Sequence, residues 1–370
     1  MKQYLRKRSG RMILTILATV GALILIFMGI LLFWSQGKIA SYPNHQGDVL
    51  KGSVSEITRV KINGIKQGMI IKGKSDQNPV LLFLHGGPGN PEYVLAKNQV
   101  IELEESFTVC WWEQRGSGMS YTSAAVSKNV TLEEMISDTV EVTNYLRKRF
   151  NQEKIYIMGH SWGSFLGANV VAKYPEFYTA YLCIGQVTNL KASEKLSYDY
   201  MVRTLKSRGD EKDLKKLTAY DIDELVNNTD RDIPAKYLML RSQILGKLGN
   251  GLYHKPPSQF KDVLLPFLQA QEYTLADKYG YLMGALYALS APISKDLAQM
   301  NLMVEIPEIT IPIYFFHGKY DRQVSYELSK DYFDMLTAPE KHFYTFDHSA
   351  HSPFIEEPER FMEIIREDVL

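Results

Sequence analysis

Gly159-His160-Ser161-Trp162-Gly163 holds one serine between two glycines, after the apolar run 154–158 and before a segment of helical character. The spacing fits G-x-S-x-G, a strand-to-helix turn that lifts a serine hydroxyl above a sheet. Glycines two positions to either side remove the Cβ clashes that forbid so sharp a bend. The hydroxyl then stands at a helix N-terminus, where the dipole favours developing negative charge. A serine needs a base to become a nucleophile, and the base needs an acid to orient it. On such a sheet these follow in the order acid, histidine, each on a loop after a strand. The apolar run 311–316 leads into His317-Gly318-Lys319-Tyr320-Asp321, and 342–346 leads into Asp347-His348-Ser349-Ala350-His351. Asp321 is the expected acid and His351 the expected base. His348 is the rival base, and Asp347 the rival acid, although a loop cap is its plainer role.

Acyl transfer also needs two N–H donors aimed at the oxyanion, one donor being worth about 2.7–4 kcal/mol. Trp162, directly after the serine, offers one, and Gly87 in His85-Gly86-Gly87-Pro88-Gly89 the other. His85 itself reads as a hydrogen-bonded structural residue. The glycine run lacks the Lys-Ser/Thr ending of a phosphate loop and the spacing of a dinucleotide fingerprint. Dehalogenases and epoxide hydrolases are disfavoured, since they carry aspartate where Ser161 stands. No metal-ligand spacing occurs, and no metal or cofactor is expected.

The elements that must position these groups are legible as a pattern. The segment 53–62 alternates, Asn63-Gly64 is a hairpin turn, and 68–72 continues it. The runs 79–84, 107–112, 154–158 and 180–184 are unbroken apolar stretches, the mark of parallel strands buried on both faces. An amphipathic helix over 131–150 opens with a Thr131/Glu134 capping box. Alternating buried strands and helices predict a doubly wound, mostly parallel α/β sheet. The core is expected over 53–187 and 305–370. Between them, 188–304 shows helical spacing only, as in 214–226 and 237–248, and reads as a cap over the carboxyl ends of the strands.

Residues 12–34 run for 23 positions without a charge, about 34 Å as helix against a hydrocarbon core of about 30 Å. A cleaved signal has a shorter apolar region, so an uncleaved transmembrane anchor is expected, with Trp34 at the interface and 35–52 as a stalk. Lys2, Arg6, Lys7, Arg8 and Arg11 put 1–11 in the cytoplasm and the body outside, with a bacterial exterior favoured. Setting those five aside leaves 37 basic against 42 acidic residues, a net −5 that argues against nucleic acid as a partner. The two cysteines, Cys110 and Cys183, fall on separate buried strands and read as free thiols. Sequons at Asn129 and Asn227 matter only in a glycosylating pathway.

The segments 78–89, Trp111-Trp112-Glu113-Gln114-Arg115-Gly116-Ser117-Gly118 and 159–164 together resemble the proline iminopeptidase family, serine peptidases of the α/β-hydrolase fold that remove N-terminal residues. The resemblance covers about 53–187 and 305–370, and the cap by position only. It implies Ser161, Asp321 and His351 as the triad, since Ala350-His351-Ser352-Pro353 before Glu357-Pro358-Glu359 is similar to the family's histidine segment. Three departures stand out. Glu113 replaces the usual Asp, and His160 the usual Gly. The tryptophan with which the family boxes proline is absent from the cap: the four tryptophans stand at 34, 111, 112 and 162. The cap carries tyrosines instead, among them Tyr198, Tyr200, Tyr220, Tyr237 and Tyr253, which read mainly as cap core. The expected function is a membrane-anchored serine hydrolase, an aminopeptidase acting on a small peptide or amino-acid amide. A carboxylic ester hydrolase is the alternative, and a non-catalytic tethered binding module the reading from another class.

Overall fold

The computed structural model describes residues 2–97, 103–126, 130–227, 233–288, 293, 297 and 299–370; Asn129 and the hydroxyl residue of the Asn227 sequon lie outside them, as do the side chains of the basic N-terminal segment. Eight strands form one sheet in the order β1-β2-β4-β3-β5-β6-β7-β8. β1 (Val54–Ile62) and β2 (Ile65–Gly73) make the expected hairpin, with Asn63 and Gly64 both at positive φ, 43° and 83°. That pair of angles is what a two-residue type I′ turn demands. β2 joins β4 antiparallel, and every later pairing is parallel. β3 (Val80–Leu84) and β4 (Thr108–Trp112) are buried at every position.

Alternation along these strands feeds two cores. Leu82, Leu84, Cys110 and Trp112 face one side, where helices Leu132–Arg149 and Trp162–Lys173 pack; Leu81, Phe83, Val109 and Trp111 face the other, over Phe361 and Met362. The capping box at Thr131 forms as expected. β5 (Ile155–His160), β6 (Tyr178–Ile184), β7 (Ile313–Gly318) and β8 (Lys341–Phe346) complete the sheet. β7 starts two residues later than the apolar run 311–316 suggests, because Pro312 has no N–H to give a ladder and only accepts, from Tyr181. Cys110 and Cys183 are buried and free. Two strands separate them, about 14 Å at ~4.8 Å per strand, beyond disulfide reach.

Two regions differ from the sequence reading. Residues 35–52 are no free stalk. Lys38 N–H donates to the Gln271 carbonyl, and buried Tyr42 gives its hydroxyl to the Glu104 carboxylate, so the segment is laid along the body. The stretch 188–304 is no single cap either. Helices Leu190–Arg208, Glu211–Leu217 and Ala235–Leu248 enclose a small core of their own around Met201, Leu205, Tyr237 and Leu245. The run 214–226 breaks at 218–221 because Thr218 ends one helix and Asp221 starts another. Helix Leu275–Ala288, by contrast, is seated on the main body: a Cβ at Gly280 would come 2.3 Å from the Gly118 carbonyl oxygen, and one at Gly284 2.6 Å from that of Gly116. Glycine is required there by backbone contact.

This seating is testable with paired alanines. Gly280→Ala should destabilise by about 1–3 kcal/mol through overpacking. Gly246→Ala, in a helix with nothing within 4 Å of the new Cβ, should stabilise by about 0.5–1 kcal/mol. Thermal unfolding midpoints of the two variants should therefore move in opposite directions.

Candidate active site

Every expected site residue lies just past the carboxyl end of a parallel strand. Ser161 follows β5 at φ 55° and ψ −119°, a region L-residues rarely occupy. The turn is closed by contact between backbones: a Cβ at Gly159 would lie 2.2 Å from the Gly163 carbonyl oxygen, and one at Gly163 2.0 Å from that of Leu84. The Ser161 N–H donates to Ile184 O at 2.9 Å, which ties the bend to the end of β6. Its hydroxyl makes no capping bond to the helix it precedes.

His351 and Asp321 meet although thirty positions separate them. His351 Nδ1 lies 2.7 Å from Asp321 Oδ2, with both side chains buried. Asp321 Oδ1 accepts from the N–H groups of Gln323 and Val324 at 2.8 and 2.9 Å. His317 Nε2 stands 3.1 Å from Oδ2 but is too poorly aligned to count as a hydrogen bond. Burial alone would raise the Asp321 pKa; the attraction of His351, helped by His317, outweighs it and holds the carboxyl well below the usual range. For His351, burial dominates and lowers the pKa; His160 and His317 add to that against the pull of Asp321. The pair at neutral pH is thus a carboxylate facing a neutral imidazole. Nδ1 carries the proton, and Nε2 is buried without a partner among the described residues. The rivals are elsewhere: Asp347 pairs with Lys319 at the surface, and His348 is exposed.

The Gly87 and Trp162 N–H groups have no hydrogen-bond partner among the described residues, whereas that of Gly86 reaches Glu92 Oε2 at 3.3 Å. Gly87 sits at φ 116°, and a Cβ there would meet the Gly89 nitrogen at 2.7 Å. Gln114 clamps this loop: its N–H donates to His85 Nε2 at 3.1 Å, its amide donates to His85 O at 3.0 Å, and its Oε1 accepts from the Trp162 indole at 2.8 Å. His85 Nε2 is therefore an acceptor and Nδ1 the protonated nitrogen, donating to Gly86 O at 2.8 Å. Burial pushes the His85 pKa down to about 4, so the ring stays neutral. Glu113 is buried as well. It accepts from the Met119 N–H at 2.5 Å and from the Tyr273 hydroxyl, the longer reach of Glu over Asp tying this loop to the insert. Burial raises its pKa to about 7.

Sequence reasoning missed the part played by His160. One ring nitrogen faces Glu92 Oε1, and the other lies 2.9 Å from the His351 carbonyl oxygen. Two acceptors on one ring are the pattern of an imidazolium. Burial works against that charge, but the Glu92 carboxylate and the hydrogen bonds raise the His160 pKa. The histidine at the x position of the motif was the visible signal; its partner, 68 positions away, was not.

Ser161, His351, Gly87 and Trp162 border one cavity of about 580 Å³, with Asp321 behind the histidine. Leu225, Ile233, Leu238 and Leu252 give it an apolar roof. Two buried charges from the insert interrupt that roof: Arg241 Nε donates to Glu194 at 2.8 Å, while its other nitrogens reach the Gln323 side chain and carbonyl at 2.8 Å each. Of the five cap tyrosines singled out in the sequence, Tyr253 lines the cavity and the other four pack in the cap core.

A serine at a strained elbow, a histidine backed by a carboxylate and an eight-stranded sheet with an inserted roof define a hydrolase architecture, and the comparisons agree. Residues 79–358 match the family described as alpha/beta hydrolase fold, and the chain belongs to it. It is a proline iminopeptidase-like member. It is 33% identical over 311 residues to "Probable aminopeptidase YbaC" of Bacillus subtilis (strain 168), covering 84% of this chain and 95% of that one. It is 26% identical over 304 residues to "Proline iminopeptidase" of Heyndrickxia coagulans, covering 80% and 94%. Among solved structures, proline iminopeptidase of Mycobacterium smegmatis superposes with a TM-score of 0.60 at 15% identity over 84% of this chain and 96% of that one, a likeness of fold.

The lowered His351 pKa has a kinetic consequence. A general base must be neutral, so kcat/KM should hold as pH falls until it passes the His351 pKa, below the ordinary 6.5. Glu92→Gln should discharge His160, relieve its repulsion of His351 and move the acid limb to higher pH. A limb unmoved in the variant would show that His351 feels no charge from His160.

Proposed function

We propose that the protein is a membrane-anchored serine aminopeptidase that releases N-terminal residues from small peptides through an acyl-enzyme. The observation that carries this is the Asp321–His351 pair, whose unpartnered Nε2 stands at the wall of the cavity that Ser161 enters. Ser161 Oγ attacks the carbonyl while His351 Nε2 takes its proton and Asp321 holds the resulting imidazolium. The Gly87 and Trp162 N–H groups receive the oxyanion. His351 returns the proton to the departing amine, and water, deprotonated the same way, releases the acyl group.

The cavity is of a size that suits a short peptide. Glu92 and Glu194 are wall carboxylates that an α-ammonium can meet, but each already has a cationic partner, His160 and Arg241. Amine recognition is therefore shared, and Tyr253 and Tyr281 supply the aromatic surface that cap tryptophan supplies elsewhere in the family. The paired carboxylates and the leucine-rich roof favour a second reading, hydrolysis of a carboxylic ester. The helix Lys2–Phe33 contains the span Met12–Phe33, apolar, with none of its residues buried, and long enough to cross a membrane. With the basic residues ahead of it, the body lies on the extracytoplasmic side.

Labelling by a fluorophosphonate should be complete in the native chain and absent in Ser161→Ala; equal labelling would remove Ser161 from its role. Asp321→Asn should lower kcat by roughly 10⁴. Prolyl- and alanyl-anilides should then be compared with short acyl esters. An ester preference above about tenfold in kcat/KM, ~1.4 kcal/mol in the transition state, decides for the esterase.

A further inference from the structure

Helix Leu275–Ala288 presents three different sides. Gly280 and Gly284 press on the backbone of 116–118. Tyr281, Ala285 and Ala288 line the cavity. The remaining side carries Tyr279, Leu282 and Leu286, which are 59%, 58% and 60% exposed. At 3.6 residues per turn these three point within about 60° of one another. No charged residue occurs from 279 to 288. Single exposed leucines are ordinary, but a contiguous apolar face on a helix marks a contact surface.

The same helix is fastened to the place where the apolar span ends. Lys278 Nζ donates to the Trp34 carbonyl at 2.9 Å, the Ser35 hydroxyl at 2.9 Å and the Leu268 carbonyl at 2.6 Å, and is buried there. Gln36 pairs with Thr274 one turn earlier, which keeps the chain against the helix start. Leu282 lies one turn beyond Lys278 on the same side. The exposed face thus begins within a turn of the residue that holds the end of the span.

We propose that the outer face of helix Leu275–Ala288 docks on the surface of the bilayer that residues 12–33 cross, with Tyr279, Leu282 and Leu286 in the boundary between headgroups and acyl chains. This rests on the anchor reading under Proposed function and goes beyond it. The tether supplies a high effective concentration, so a small apolar face suffices where an untethered helix would need a larger one. A tyrosine beside leucines suits that boundary, where one end of the ring is wet. The occupant is lipid rather than a second copy, because the Lys278–Trp34 contact fixes this face at the membrane exit. One wall of the cavity then lies a single helix diameter, about 10–12 Å, from lipid.

The test uses the full chain with single added cysteines, Leu23→Cys, Leu282→Cys, Leu286→Cys and Met335→Cys, labelled with bimane in phosphatidylcholine–phosphatidylglycerol vesicles. Cys110 and Cys183 are buried and stay unlabelled in the folded protein. Met335 is 63% exposed and ends a helix packed on β7 and β8, the sheet edge opposite the β1 strand to which Asp277 is tied through Arg59. Lipids bearing a nitroxide near the carbonyl should quench the labels at 282 and 286 by about twofold or more, as for an interfacial helix face, and leave 335 unchanged, while lipids bearing it at the end of the acyl chain should quench the label at 23. Quenching at 23 with none at 282 or 286 overturns the docking surface and leaves the anchor standing. No quenching at 23 overturns the anchor, and the docking with it. Cross-linking between copies through 282 without lipid quenching assigns the face to a second chain and also overturns the proposal.

Discussion

The structure turns on a contact of backbone with backbone at the start of helix Trp162–Lys173. The helix can begin where it does only because no Cβ stands at 159 or 163, so its first turn rests on the ends of β3 and β5. Ser161, between the two glycines, absorbs the sharp change of direction at φ 55°. Such a conformation costs about 1–3 kcal/mol and persists only where its surroundings dictate it. They do so here through the N–H bond to Ile184, the parallel pairing of β5 with both neighbours, and ten consecutive helix residues buried from 162 to 171. A serine held this way cannot fold back to cap its own helix.

Around that bend most polar groups are satisfied, while the Gly87 and Trp162 N–H groups and His351 Nε2 are left without partners among the described residues. His85, Gln114 and Trp162 close a buried loop of hydrogen bonds that fixes the glycine segment without any formal charge. His160 and Glu92 join the elbow to the backbone of His351 and to the Gly86 N–H. Buried networks of this kind specify a geometry when complete and are costly when partial. His351 Nε2 is a buried acceptor at the centre with no partner among the described residues. An orphan of that sort costs about 1–3 kcal/mol. Under the proposed mechanism a proton arriving from Ser161 satisfies it, which would raise the free state relative to the reacting one.

Much of this was legible because the informative signals are local. Apolar runs ending in glycine-rich loops gave the strands, and Gly159-His160-Ser161-Trp162-Gly163 gave the elbow in its strand-to-helix setting. The resemblance of Ala350-His351-Ser352-Pro353 to the family's histidine segment, with an acid expected on a loop after a preceding strand, favoured Asp321 and His351 over Asp347 and His348, which both lie on the loop after β8 and turn to solvent. What stayed hidden depends on pairs distant in sequence. Glu92 lies 68 positions from His160, and Glu194 lies 47 from Arg241; nothing in either neighbourhood marks the partner. The insert was misread for the same reason. Helical spacing reports that 275–288 is a helix, not that two glycines in it meet the carbonyls of 116 and 118. Residues 35–52 looked like a stalk because polar composition does not record where Lys38 N–H and the Tyr42 hydroxyl find their acceptors.

The insert also has a mechanical meaning. Arg241 is anchored in the cap core by Glu194, itself held by the Tyr237 hydroxyl, and it grips Gln323 twice. The Gln323 N–H in turn holds Asp321 Oδ1. A buried ion pair is weak evidence for stability, because desolvation offsets most of its attraction. What it does supply is position: the roof of the cavity and the loop of the acid are bolted through one guanidinium. Swinging the roof away as a rigid lid would carry Glu194 and Arg241 together and break the two hydrogen bonds from the guanidinium to Gln323, each worth about 1.5–3 kcal/mol as a bond to a charged group. At the far end the glycine seating of helix Leu275–Ala288 resists the same motion by direct backbone contact. The insert is therefore held against the body at two places, and in that position it shapes the cavity around Ser161.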